Sequence, residues 1–228
     1  MIEAILFDLD GTLLDVDMDD FLDRYMLKLA ACFSADEKSF TKNLWTSTSA
    51  MINNKDPQIT NEEAFMEHFL TWINHPRNEV MQRIHDFYEK VFPTLQATAG
   101  PFPHTEAAVA AARKLQCPLV LATNPIFPMV AIRHRMKWAG LQEKDFALIT
   151  AYENMHFAKP NPDYYLEIAQ ILGVNPARCL MVGNDPVFDI RAAAEAGLIT
   201  YFVDESLPGL NKNRGRLADF PQFLNSLT

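Results

Sequence analysis

Asp8 and Asp10 stand two positions apart in the run Asp8-Leu9-Asp10-Gly11-Thr12, directly after the apolar stretch Ala4-Ile5-Leu6-Phe7. Two carboxylates at that spacing point the same way if the chain stays extended. Such a pair can divide labour. One acid attacks an electrophile, while the other gives a proton to the leaving group and later takes one from water. Three further places add matching chemistry. Thr123 and Asn124 offer a hydroxyl and an amide, suited to holding anionic oxygens. Lys159, before Pro160, supplies an ammonium that can bind phosphate beside a carboxylate. Asp185 and Asp189 follow Gly183. With Asp8 they provide hard oxygens for Mg²⁺, which takes few carboxylates and completes its shell with waters and phosphate oxygen.

Each signal alone has an ordinary reading. Asp8 to Thr12 could be an acidic strand-end turn, and Thr-Asn favours turns anyway. A lysine before a proline is commonly a surface residue. What joins the signals is where the elements place them. Residues 4–7, 118–122 and 179–182 are apolar without alternation, as expected of strands buried on both faces of a parallel sheet. Each stops at one of the polar clusters, and in open parallel sheets the carboxyl ends of the strands line the ligand crevice. Shorter strands are expected at 146–149 and 199–203. Between them lie helical segments at 105–115, 128–139, 162–172 and 189–196, three of them closing on Gly140, Gly173 and Gly197. A closing helix is expected at 217–227.

Residues 16–93 break this alternation. They contain no strand pattern and read as helices at 18–33, 35–54, 60–74 and 77–92. Thr60 with Glu63 fits a capping box, and Phe65, Phe69, Trp72 and Ile73 form an apolar stripe at helical spacing that reads as bundle core. The expected architecture is α/β: a doubly wound parallel-sheet, Rossmann-like core from 1–15 and 94–228, with an all-helical cap inserted at 16–93.

The chain has 228 residues with a formal net charge of -9, 49% hydrophobic and 21% charged, and lacks Lys/Arg-rich blocks. That balance disfavours nucleic acid or an anionic membrane as a main partner, since both require a positive footprint. Its N-terminus does not read as a secretory signal, and no stretch approaches the roughly 20 apolar residues of a membrane span. Cys32, Cys117 and Cys179 are far apart and read as reduced thiols, so a cytoplasmic location is expected.

The four clusters, in this order, resemble the haloacid dehalogenase (HAD) superfamily, and in particular its phosphatase branch. The resemblance covers about 1–15 and 94–205, and the helical insert matches the family's cap in position and type. It implies that Asp8 is the nucleophile that becomes phosphorylated, and that Asp10 is the general acid/base. Thr123 and Lys159 would bind the transferring phosphoryl group, helped by backbone amides near Leu9 and Asn124. Mg²⁺ would be held by Asp8, by the Asp10 backbone carbonyl and by Asp185. Asn184 stands where many members have the first acid after Gly, so the choice between Asn184 and Asp185 stays open, with Asp189 as an outer partner.

The implied activity is a Mg²⁺-dependent phosphatase acting on a small phosphorylated metabolite, as a monomer or weak homodimer. Dehalogenase chemistry is disfavoured, because dehalogenases of the family typically lack the second acid held here by Asp10. A phosphonate-cleaving relative would need a cap lysine, and Lys28, Lys38, Lys42 and Lys55 read as solvated. A sugar phosphomutase and a non-catalytic phosphate-binding protein remain as alternatives. A receiver domain is disfavoured by Asp8 ending the very first strand. The insert is expected to act as a lid, with its attachments at 13–17 and 93–103 as the bending points.

Overall fold

The computed structural model describes residues 1–227. Six parallel strands form one sheet: β1 (Ala4–Phe7), β4 (Leu119–Leu121), β5 (Leu148–Ile149), β6 (Cys179–Gly183), β7 (Ile199–Val203) and β8 (Arg214–Gly215), in the order β5-β4-β1-β6-β7-β8. The unalternating apolar runs are explained by burial on both faces. Along β1, Ile5 and Phe7 join one apolar cluster and Ala4 and Leu6 the other, all without solvent exposure. On the first face lie α5 (Thr105–Arg113), α6 (Met129–Trp138) and the terminal α9 (Phe220–Ser226). On the second lie α7 (Pro162–Leu172) and the short α8 (Ala192–Glu195). The sheet is therefore doubly wound as expected.

Boundaries differ where side-chain pattern could not fix them. The strand expected over 146–149 is only Leu148–Ile149, because a 3₁₀ turn at Glu143–Asp145 occupies the approach and Phe146 leaves it. The helix expected from 189 starts earlier, as a π turn at Pro186–Arg191 before α8. Two-residue strands β2 (Leu14–Asp15) and β3 (Gly100–Pro101), and the edge strand β8, are too short to leave a periodic signal.

Between β2 and β3 the chain is helical: α1 (Met18–Cys32), α2 (Glu37–Ile52), α3 (Asn61–Phe69) and α4 (Arg77–Asp86), continued by a π turn at Phe87–Val91 and a 3₁₀ turn at Phe92–Thr98. Asp17 caps α1, accepting from the Asp19 and Asp20 amides, and the Thr60/Glu63 capping box is present at α3. That helix stops at Phe69 rather than running to 74. β2 and β3 pair antiparallel, so both crossings into the insert run side by side. The helices also pack on the sheet layer. Tyr25 meets Phe127 edge-on at 5.5 Å, and Phe92 stacks on Trp138 at 5.5 Å. Asn61 is fully buried at this contact, its side-chain amide donating to the Pro125 and Phe157 carbonyls at 3.3 and 3.1 Å. No helix among the described residues is long and apolar enough to cross a membrane.

Candidate active site

Asp8 follows β1, Thr123 follows β4 and Asp185 follows β6, so three neighbouring strand ends open into one crevice. Asp8, Asp10, Thr123, Asn124, Lys159, Asn184, Asp185 and Asp189 all line it. Every candidate side chain named from the sequence is therefore brought together except that of Leu9. Leu9 is fully buried, and its carbonyl closes the turn by accepting from the Thr12, Leu13 and Leu14 amides at 3.2, 2.9 and 2.8 Å.

Lys159 is 1% exposed, and its ammonium bridges two carboxylates: Asp8 Oδ1 at 2.8 Å and Asp189 Oδ1 at 2.6 Å. Burial pulls this ammonium down, but the charges of Asp189 and Asp8 outweigh it and hold its pKa well above the ordinary value. Asp189 is pushed up to about 6, by burial first and the Asp8 charge second, against the pull of Lys159. The second Asp189 oxygen accepts from the Asp185 amide at 3.0 Å. Asp189 thus holds Lys159 in place, a role not read from the sequence. Gly183 makes this possible, since a Cβ there would lie 2.3 Å from Asp189 Oδ2. Gly11, at φ +76°, brings the Asp8–Thr12 turn equally close to Asn184, whose side-chain nitrogen would sit 2.4 Å from an added Cβ.

Thr12, which ends the same turn, donates within reach of Asn184 Oδ1 (3.0 Å) and Asp8 Oδ2 (3.3 Å). The Asn124 side-chain oxygen accepts from the Lys159 amide at 3.1 Å, tying the Thr123-Asn124 and Lys159 loops together. The Thr123 carbonyl is fixed by Thr150 (2.7 Å) and Tyr164 (2.9 Å), leaving the Thr123 hydroxyl at the crevice.

The sequence reading missed Arg135. It lies on α6, 2% exposed, and its guanidinium grips both oxygens of Asp10: Nε donates to Oδ1 at 3.2 Å and Nη2 pairs with Oδ2. The same guanidinium sits over the Phe127 ring at 5.0 Å. Burial pulls Arg135 down to about 10, opposed by the Asp8 charge, so it stays cationic at neutral pH. A signal existed: Arg135 falls four residues after Ala131 and three after Ile132, both fully buried, which is core register for a charged residue.

The donor set suits a hard cation. Asp185 Oδ1 caps the π turn, accepting from the Val187 and Phe188 amides at 2.7 Å each, which leaves Oδ2 uncommitted. Among the described residues, Asp8 Oδ2 makes only the long contact to Thr12. Among the described residues no group of three His, Cys, Asp or Glu side chains forms a closed cage. Two carboxylates plus backbone oxygen match Mg²⁺, which keeps waters and recruits substrate phosphate. Asp189 is committed to Lys159 and the Asp185 amide, and the Asn184 oxygen to Thr12.

In the insert, Tyr25 and Trp45 line a cavity beside the crevice. Asp17 caps α1, Asp20 pairs with Arg24, and His68 bonds the Ser47 hydroxyl at 3.0 Å.

A doubly wound sheet with an acid nucleophile candidate, a second acid and a buried lysine at adjoining strand ends defines a hydrolytic α/β enzyme. The model of the haloacid dehalogenase-like hydrolases matches residues 2–197, and the chain belongs to that family. It is 27% identical over 205 residues to the phosphoglycolate phosphatase of Neisseria gonorrhoeae, covering 87% of this chain and 78% of that one. Among solved structures it is similar to a 2-haloacid dehalogenase of Pseudomonas syringae pv. Tomato (TM-score 0.65, 20% identity, 100% of both chains). A HAD phosphatase of Thermococcus onnurineus matches with TM-score 0.59 at 19% identity, over 98% of each chain.

Proposed function

We propose that this enzyme is a Mg²⁺-dependent phosphatase, hydrolysing a phosphate monoester through phosphorylated Asp8. The observation that carries the reading is the pairing of Asp8 with a fully buried Lys159, with Asp10 two residues on. Lys159 and Thr123 hold the transferring phosphoryl group, whose negative charge the ammonium offsets. An Asp8 carboxylate oxygen bonds to phosphorus as the bond from phosphorus to the leaving oxygen breaks, and Asp10 delivers a proton to that oxygen. Asp10 then takes a proton from a water that attacks the aspartyl phosphate, releasing inorganic phosphate and restoring Asp8. Mg²⁺, held by Asp8, Asp185 and the Asp10 carbonyl, would supply charge neutralisation at the phosphoryl oxygens.

In the structure Asp10 is held by Arg135. The pair describes a resting arrangement, and Asp10 must turn from Arg135 to meet the leaving oxygen. The second acid favours phosphate over halide chemistry, because a carboxylic ester formed by displacing halide needs no protonated leaving group. The helical insert serves as the lid, with the paired β2 and β3 as its attachment and Asn61 as its contact with the core. The test is phosphate release from a panel of phosphomonoesters, with and without Mg²⁺, by the native chain and Asp8→Asn. Turnover that needs Mg²⁺ and vanishes in the variant is expected; equal turnover by the variant overturns the assignment.

A further inference from the structure

Next to the catalytic crevice lies a cavity of about 250 Å³ between the insert and the core. Native interiors keep few voids larger than one water, which occupies about 30 Å³ in the liquid. This space is several times that size, and apolar and aromatic side chains dominate its wall. Leu29, Phe33, Leu44, Phe65, Phe69 and Ile84 supply much of its wall, and none of the described lining residues is Asp, Glu, Lys, Arg or His. The aromatic stripe of α3 is thus core on one side and cavity wall on the other.

The hydroxyls of Tyr25 and Tyr88, also in the wall, satisfy each other at 2.8 Å. Burial pushes Tyr25 up to about 12 and Tyr88 well above its usual value, so both stay neutral.

The cavity adjoins the crevice through a shared wall residue. Met18 lines both the crevice and the cavity. Asp10, the acid that protonates the leaving oxygen, is held by Arg135. Arg135 lies over Phe127, whose ring is in the cavity wall. A leaving group that extends past Met18 meets a chamber whose lining carries no charged residue. A second phosphate or carboxylate seated among these side chains would find no cation in the lining itself and would shed its water at a cost.

Building on the phosphatase reading, we propose that the substrate is the phosphate monoester of an apolar alcohol, its hydrocarbon or aromatic part filling this cavity. A cavity of about 150 Å³ takes one benzene ring, so this one suits a leaving group of about eight to twelve carbon atoms. That class excludes small polar substrates such as glycerol phosphate or phosphoglycolate as preferred ones.

The test is kcat/KM with Mg²⁺ for methyl, butyl, hexyl, octyl and 1-naphthyl phosphate against glycerol phosphate and phosphoglycolate, together with calorimetric binding of 1-octanol. Each methylene from butyl to octyl should raise kcat/KM about four-fold, following the transfer of a CH₂ out of water. Leu22→Trp, which fills the cavity, should lower the octyl-to-methyl ratio at least ten-fold and weaken octanol binding. Met26→Phe should do so less. The ratio is taken on one preparation, so partial misfolding leaves it unaltered. Hydrolysis without length dependence, or with glycerol phosphate or phosphoglycolate preferred, overturns the apolar-substrate inference and leaves the phosphatase reading intact. Octanol binding that Leu22→Trp abolishes, with no ester hydrolysed, supports the cavity as a binding site and overturns the phosphatase reading instead.

Discussion

Replacing Arg135 by Met should destabilise the protein by about 2–4 kcal/mol. The Arg135 side chain is 3% exposed and that of Asp10 21%, so the pair is largely withdrawn from water. Removing one partner of a fully buried pair costs about 3–5 kcal/mol, because the remaining charge is left uncompensated. The residual exposure of Asp10 lets water return to it and lowers that figure. For a chain of this length 1 kcal/mol corresponds to about 2–4 °C in Tm, so the midpoint should fall by roughly 5–15 °C. Arg135→Lys keeps the charge but loses the planar fork and the stacking over Phe127, and should fall between native and Met. Asp10→Asn should destabilise too, and the double variant should lose far less than the sum, with a coupling of about 2 kcal/mol or more. Urea unfolding of the four proteins measures this. A loss under about 0.5 kcal/mol for Arg135→Met, or additive effects, would refute the claim that the two residues act as one buried unit.

Other perturbations address the remaining contacts. Lys159→Met leaves Asp8 and Asp189 facing each other without the shared cation, and phosphate release should fall at least about 100-fold; retained turnover would show that Lys159 does not serve the phosphoryl group. Gly183→Ala places a methyl where Asp189 Oδ2 lies, at 2.3 Å. It should destabilise by about 1–3 kcal/mol and reduce turnover by displacing Lys159, and a native-like variant would contradict the packing argument. Asp189 titrates near 6 in the folded chain against 3.8 ordinarily, so the folded state binds its proton more tightly. Its effect is therefore a penalty that is full above about pH 6 and fades as the pH falls toward 4. In metal-free protein, stability relative to Asp189→Asn should rise by about 2 kcal/mol as the pH falls from 7 to 4. Unfolding curves from pH 4 to 7 whose difference stays flat would exclude it.

The parts of this molecule legible in its sequence are those whose cause is local. The unalternating runs at β1, β4 and β6 gave a parallel sheet, and the polar residues that stop them gave a crevice, because chain direction alone puts strand ends together. The capping box at Thr60 and the α7 boundaries follow from contacts within a few residues. Arg135 and Asp10 are 125 positions apart, and only the packing of α6 beside the catalytic turn joins them. Asp189 could be read as an acid near a metal site, but its bond to Lys159 depends on a π turn with no sequence period. The cavity is assembled from α1, α2, α3, α4, the Phe87–Val91 turn and two core loops, so no single segment carries its signature.

The central claim, that Asp8 itself receives the phosphoryl group, is tested most directly by trapping. Enzyme turning over a phosphomonoester with Mg²⁺ is quenched in acid and reduced with borohydride, which converts an acyl phosphate to a primary alcohol. Peptide mass spectrometry should find homoserine at position 8 in the native chain and none without substrate or in Asp8→Asn. Phosphate release with Asp8 left unreduced, and the label absent or on another residue, would contradict the account.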